Sequence, residues 1–171
     1  MRVLRTAVAA AALVAVSAVS AEAQMMGGMK VEEIRLDMVG FATNDFGTSF
    51  GVNFPGTVTL AMYLNDNIAL EPMVGINSFT PDGGDAVTTI SLGLFVPYYL
   101  AGDRGMNGLF VAPGFTFSKT TDVDGVTAIG ADLGLKKTWK EKISWRAAVQ
   151  IRSNDGNTTL GVVGGVGMFW R

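Results

Sequence analysis

From residue 32 onward apolar and non-apolar positions change places at almost every step, the period of a β-strand, whose side chains point to opposite faces in turn. In "TTISLGLFVPYYL" one face carries Ile90, Leu92, Leu94, Val96, Tyr98 and Leu100, the other Thr89, Ser91, Gly93, Phe95, Pro97 and Tyr99. "ISWRAAVQIRS" sets Ile143, Trp145, Ala147, Val149 and Ile151 against Ser144, Arg146, Ala148, Gln150 and Arg152. "VTAIGADLGLKKTW" sets Ile129, Ala131, Leu133 and Leu135 against Ala128, Gly130, Asp132, Gly134 and Lys136. The pattern predicts eight strands, at 32–43, 55–64, 68–79, 87–100, 108–118, 126–138, 142–153 and 158–170. One set of connections, "LNDN", "AGDRGMN" and "KEK", alternates with another, "TNDFGTSFGVN", "TPDGGDA", "KTTDVDG" and "NDGN", as in an up-and-down meander. No helix-period stretch and no second domain interrupts it. Pro72, Pro97 and Pro113 fall inside predicted strands, where each removes a ladder donor. Bulges, strand ends or a shortened ladder are expected there.

The non-apolar face is not that of a solvated sheet, which would be rich in Lys, Glu and Thr. It is crowded with small residues, among them Gly75, Gly93, Ala112, Gly114, Gly130, Gly134, Gly161, Gly165 and Gly167. Between them stand Arg35, Asp37, Glu71, Asp132, Lys136, Arg146 and Arg152. A small closed barrel needs this mixture inside, because each long side chain requires a small neighbour. The near balance of sign suits internal ion pairs, with Glu71, Asp132, Arg146 and Arg152 as central members, since an unpaired buried charge is costly. The opposite face suits lipid: about five outward apolar residues per strand match a transmembrane β-strand of roughly ten residues. Lipid offers no hydrogen bonds, so the sheet must close without an edge. If the N-terminus starts on the periplasmic side, Tyr98, Trp139, Trp145 and Trp170 gather at one rim of the lipid face, as an interfacial aromatic girdle. Phe115 and Phe117 lie toward the other rim. A soluble lipocalin-like barrel would need the apolar face turned inward, against this placement.

The first residues stand apart. "MRVLRTAVAAAALVAVSAVSAEAQ" has two arginines, an Ala/Val/Leu run and a small-x-small site, the three parts of a secretory signal peptide spanning 1–23. Residues 24–31 read as a flexible start, and 32–171 as the barrel. Removing Arg2, Arg5 and Glu22 with the leader leaves 11 basic and 14 acidic residues. That balance argues against a nucleic-acid partner.

Composition narrows the chemistry. With no Cys and no His there is no disulfide, no thiolate, no Cys or His metal ligand and no imidazole base. No catalytic constellation emerges, and neither an enzyme, a cofactor nor a metal centre is expected. Asp45, Asp82, Asp85, Asp122, Asp124 and Asp155, against Lys119, fall in the outer connections. Carboxylates are ligands for calcium or magnesium, but Asp-Gly and Asn-Asp are also turn formers, and that reading is preferred.

With these features the chain resembles the small eight-stranded bacterial outer-membrane β-barrels, of the type of the outer-membrane protein A transmembrane domain. "FPGTVTLAMYLNDNIALEPMVG" and the terminal "GGVGMFWR" carry the local likeness. The resemblance implies an all-β, eight-stranded antiparallel barrel in the outer membrane of a Gram-negative envelope. It also implies a last strand recognised by the barrel-assembly machinery: a polar residue, Gly two later, then aromatic or apolar residues three and five after the Gly. Gly165, Met168 and Trp170 match; Val163 stands where a polar residue is usual, and Arg171 follows where the family usually stops. The expected partners are outer-membrane lipid and that machinery. Two roles stay open: a structural or surface-interaction protein acting through its external loops, its lumen plugged by side chains, and a narrow channel for small solutes or ions. No external ligand can be read from the chain.

Overall fold

The computed structural model describes residues 31–44, 47–79, 85–101 and 106–169. The leader, residues 24–30, Asp45, Asp82 and Trp170 lie outside the described residues. Nine strand segments follow in chain order: β1 Val31–Asn44, β2 Gly47–Tyr63, β3 Ala69–Phe79, β4 Val87–Phe95, β5 Tyr98–Tyr99, β6 Asn107–Thr120, β7 Val126–Trp139, β8 Ile143–Asn154 and β9 Asn157–Phe169. Every neighbour is antiparallel, β1 pairs with β9, and β4 pairs with β6, so the sheet closes on itself. β4 and β5 together form one stave of the wall, which makes eight staves: an all-β, eight-stranded, antiparallel up-and-down barrel.

The prolines account for the divided stave. The segment predicted at 87–100 breaks at Val96–Pro97, because Pro97 has no N–H to donate. The register survives the break: Phe95 faces Gly114 before it and Tyr98 faces Val111 after it. Val96 N donates to Pro113 O at 2.9 Å, and Pro97 O accepts from Ala69 N at 3.1 Å. Pro72 opens a gap in the β2–β3 ladder between Thr59↔Met73 and Met62↔Leu70, while its β4 side, Pro72↔Leu94, stays paired. Pro113 keeps its place opposite Ala131. A second correction concerns "TNDFGTSFGVN", expected as a long connection. β1 and β2 run through it as a hairpin arm, from Val39↔Val52 to Asn44↔Gly47. Its Thr, Ser and Phe residues are strand formers, and cross-strand pairing outweighs its weak apolar alternation. A bulge at Met38 separates this arm from the lower barrel.

The wall settles which face points outward. Ile90, Leu92, Leu109, Ile129, Leu133, Leu135, Val149, Ile151, Leu160 and Val162 all lie exposed on the exterior, Ile129 at 64% and Leu133 at 58%. The interior holds Ala69, Phe95, Tyr99, Phe110, Ala112 and Ala148, with Tyr63, Met73 and Val163 against them. Gly165 and Gly167 make room for charge: a Cβ on Gly165 would strike the Asp37 carboxylate, and one on Gly167 the Glu33 carboxylate and the Ser144 hydroxyl. At the end opposite the chain termini, β8 and β9 meet in a two-residue turn, Asp155 (φ 42°) and Gly156 (φ 86°), between Asn154 and Asn157. These signs are those of a type I′ hairpin. At the terminal end, Lys140 (φ 53°) and Glu141 (φ 56°) adopt the same signs without a glycine, with Lys142 N donating to Trp139 O at 3.3 Å.

Candidate functional site in the barrel lumen

Antiparallel pairing lays the inward residues of all eight staves on one surface, and the charged ones meet at two levels. Near the terminal end, Glu33 is fully buried. Its carboxylate accepts from Lys136 Nζ, from Ser144 Oγ and, at 3.0 Å, from Tyr63 Oη. Lys136 Nζ also donates to Tyr63 Oη at 2.8 Å. It lies 4.8 Å from the centroid of the Phe169 ring, 5.4 Å from that of Tyr99 and 5.6 Å from that of Tyr63. An ammonium among aromatic faces recovers part of its lost hydration.

The second level centres on Glu71. Arg35 holds it in a bidentate fork, Nη1 to Oε1 at 3.1 Å and Nη2 to Oε2 at 3.0 Å. Tyr99 Oη donates to Oε1 at 2.9 Å, and Arg146 Nη1 to Oε2 at 2.8 Å. Arg146 then reaches Asp132 with Nη2 at 2.8 Å, and its guanidinium stands 4.2 Å from the centroid of the Phe110 ring. Among the described residues nothing accepts from Arg146 Nε. Asp132 also accepts from Arg152 Nη2, and from Gln150 Nε2 at 3.5 Å. Arg35 Nε completes the chain to Asp37 at 3.2 Å.

Arg35, Asp37, Glu71, Asp132, Lys136, Arg146 and Arg152 therefore stand on one connected surface, except that Lys136 belongs to the Glu33 level. Sequence reasoning missed Glu33, Tyr63, Tyr99 and Ser144 as members. Glu33 had a signal: it shares parity with Arg35 and Asp37 two and four positions on. With Glu33 the network holds four carboxylates and four cations and is neutral. Beyond Asp132 and Arg152, away from the termini, the lumen opens into a cavity of about 290 Å³. Hydroxyls line it, with Ser91 and Ser118 joined at 2.9 Å and Thr89 reaching Thr120 at 2.8 Å.

Tyr98, Trp139 and Trp145 are exposed on the exterior at the terminal end, Trp139 at 63%. Trp170 lies outside the described residues. Of the terminal-strand residues, Gly165 faces inward and Met168 is half exposed on the wall. Among the described residues no group of three or more acidic side chains is placed to hold a metal ion. Asp122 and Asp155 sit at positive φ in turns.

The closed eight-stave fold has counterparts among solved structures. The Neisserial surface protein A superposes with a TM-score of 0.55 at 12% identity, over 81% of this chain and 96% of that one. The fold is that of the small eight-stranded outer-membrane β-barrels. The N-terminal barrel domain of Pseudomonas aeruginosa OprF gives 0.52 at 18% identity, over 82% of this chain and 98% of that one. Ail, the attachment invasion locus protein of Yersinia pestis, gives 0.51 at 11% identity, over 83% of this chain and 100% of that one. At the level of sequence, no family model and no curated protein matches this small barrel.

Proposed function

We propose that this protein is an integral protein of the bacterial outer membrane, with a structural or surface-interaction role carried by its outer end rather than by catalysis or transport. The observation that carries this reading is the combination of an exposed apolar wall and, among the described residues, a neutral network of ion pairs in the lumen. An apolar band running round the outside of a closed barrel suits a lipid environment. Eight staves leave space for side chains rather than a water column, and the Glu33–Lys136 level with Phe169 stands across the terminal end of the lumen. The common fold with a surface protein and an attachment invasion locus protein supports a place at the cell surface. In biogenesis, Gly165, Met168 and Trp170 would form the terminal signal for the assembly machinery, and residues 1–23 the export signal.

Two measurements test this. Barrel extracted from the outer-membrane fraction should migrate differently in SDS before and after boiling, because its backbone hydrogen bonds are all internal. A soluble periplasmic protein with no shift would refute the membrane reading. In planar bilayers the folded barrel should pass no current; reproducible single-channel openings would replace the plugged lumen with the narrow channel.

A further inference from the structure

The charges outside the lumen are distributed unevenly. Among the described residues, Asp85, Asp122, Asp124 and Asp155 occupy the outer connections, with Lys119 beside them. At the terminal end of the β7–β8 hairpin, Lys137, Lys140 and Lys142 lie within six residues, interrupted only by Glu141 as a counter-charge. All three are exposed, and none pairs with a carboxylate among the described residues. They flank the two exposed tryptophans: Lys137 pairs across strands with Trp145, and Lys140 Nζ stands 5.0 Å from the centroid of the Trp139 ring.

We infer that this sector of the rim is a docking site for anionic phospholipid, with the phosphate and headgroup held by Lys137, Lys140 and Lys142 and the acyl chains lying along Trp139 and Trp145. The inference rests on the membrane reading above. Charge complementarity names the occupant. A wall whose apolar band ends in indole rings meets lipid at headgroup depth, and unpaired ammoniums at that depth attract acidic headgroups over zwitterionic ones. The remaining sites around the exterior at that level carry no comparable group of lysines among the described residues.

The test uses the full barrel refolded into vesicles of phosphatidylcholine with phosphatidylglycerol as a quarter of the lipid. Either the phosphatidylcholine or the phosphatidylglycerol carries brominated acyl chains, which quench nearby tryptophan. Selective occupancy predicts that brominated phosphatidylglycerol quenches beyond its share of the lipid, with an apparent preference of roughly three- to tenfold from a few partly screened lysines. The preference should fall toward unity in high salt. It should also vanish in the K137Q/K140Q/K142Q variant and persist in K119Q and in the triple Lys→Arg variant. Equal quenching by the two lipids in the wild type, or an undiminished preference in the triple Gln variant, overturns the site. Absence of quenching by either lipid overturns the membrane reading itself, and the site with it.

Discussion

Glu71→Gln is the sharpest probe of the lumen. The substitution keeps shape and removes one charge, leaving the network with three carboxylates against four cations. Glu71 accepts from Arg35 at 3.0 and 3.1 Å, from Arg146 at 2.8 Å and from Tyr99 at 2.9 Å, so both its oxygens face two donors. Whichever way the new amide turns, its NH₂ meets N–H or O–H groups that need an acceptor. At an effective dielectric of about 20, each guanidinium is attracted to the carboxylate by about 5 kcal/mol at these distances. Relief of the carboxylate's desolvation returns several kcal/mol of that sum, so the net loss should be about 3–5 kcal/mol, the range for breaking one side of a buried pair. That is a shift of about two to four powers of ten in the folding equilibrium. The assay is urea unfolding of the barrel in lipid vesicles, followed by tryptophan emission and by the heat-dependent band. A double variant, Glu71→Gln with Arg146→Met, should lose less than the sum of the single losses, because Arg146 is then no longer left without its partner. A loss under about 1 kcal/mol for Glu71→Gln would refute the claim that this network stabilises the barrel.

Gly167→Val should cost about 1–3 kcal/mol or block folding, since its side chain would enter the space of the Glu33 carboxylate and Ser144; unfolding in urea measures it. Leu133→Arg, on the exposed mid-wall, should cost about 2–4 kcal/mol in vesicles if that surface meets lipid, and almost nothing if it meets water. Lys140→Asn with Glu141→Gly should raise stability by about 1 kcal/mol, because both positions are left-handed and neither holds a residue suited to it. No gain in the urea midpoint would show the turn to be unstrained. Arg152→Ala should remain folded with a modest loss, since Asp132 retains Arg146 at 2.8 Å.

Period two along the chain was enough to divide the residues into two faces and to put Arg35, Asp37, Glu71, Asp132, Lys136, Arg146 and Arg152 on the same one, because strand parity is local. The two sets of turns were enough for the order of the staves. Parity has no sign, however. That Leu133 and Ile151 point out of the barrel rather than into a core depends on closure of the β4–β6 and β1–β9 ladders. The extent of the β1–β2 arm was hidden because its alternation is weak, and the cross-strand ladder that holds it exists only once both strands are paired. Pro97 announced a disturbance. Whether it would bulge, end or divide the strand was decided by Pro113 O and Ala69 N, which supplied partners that kept the register on both sides. The partners of the lumen charges were the least legible. Glu33 and Lys136 stand 103 residues apart and Arg35 and Glu71 stand 36 apart, on staves that are not ladder neighbours. The chain alone determines which residues share a face, because strand parity is local. Which of them touch is set by closure of the barrel, which brings non-adjacent staves face to face across the lumen.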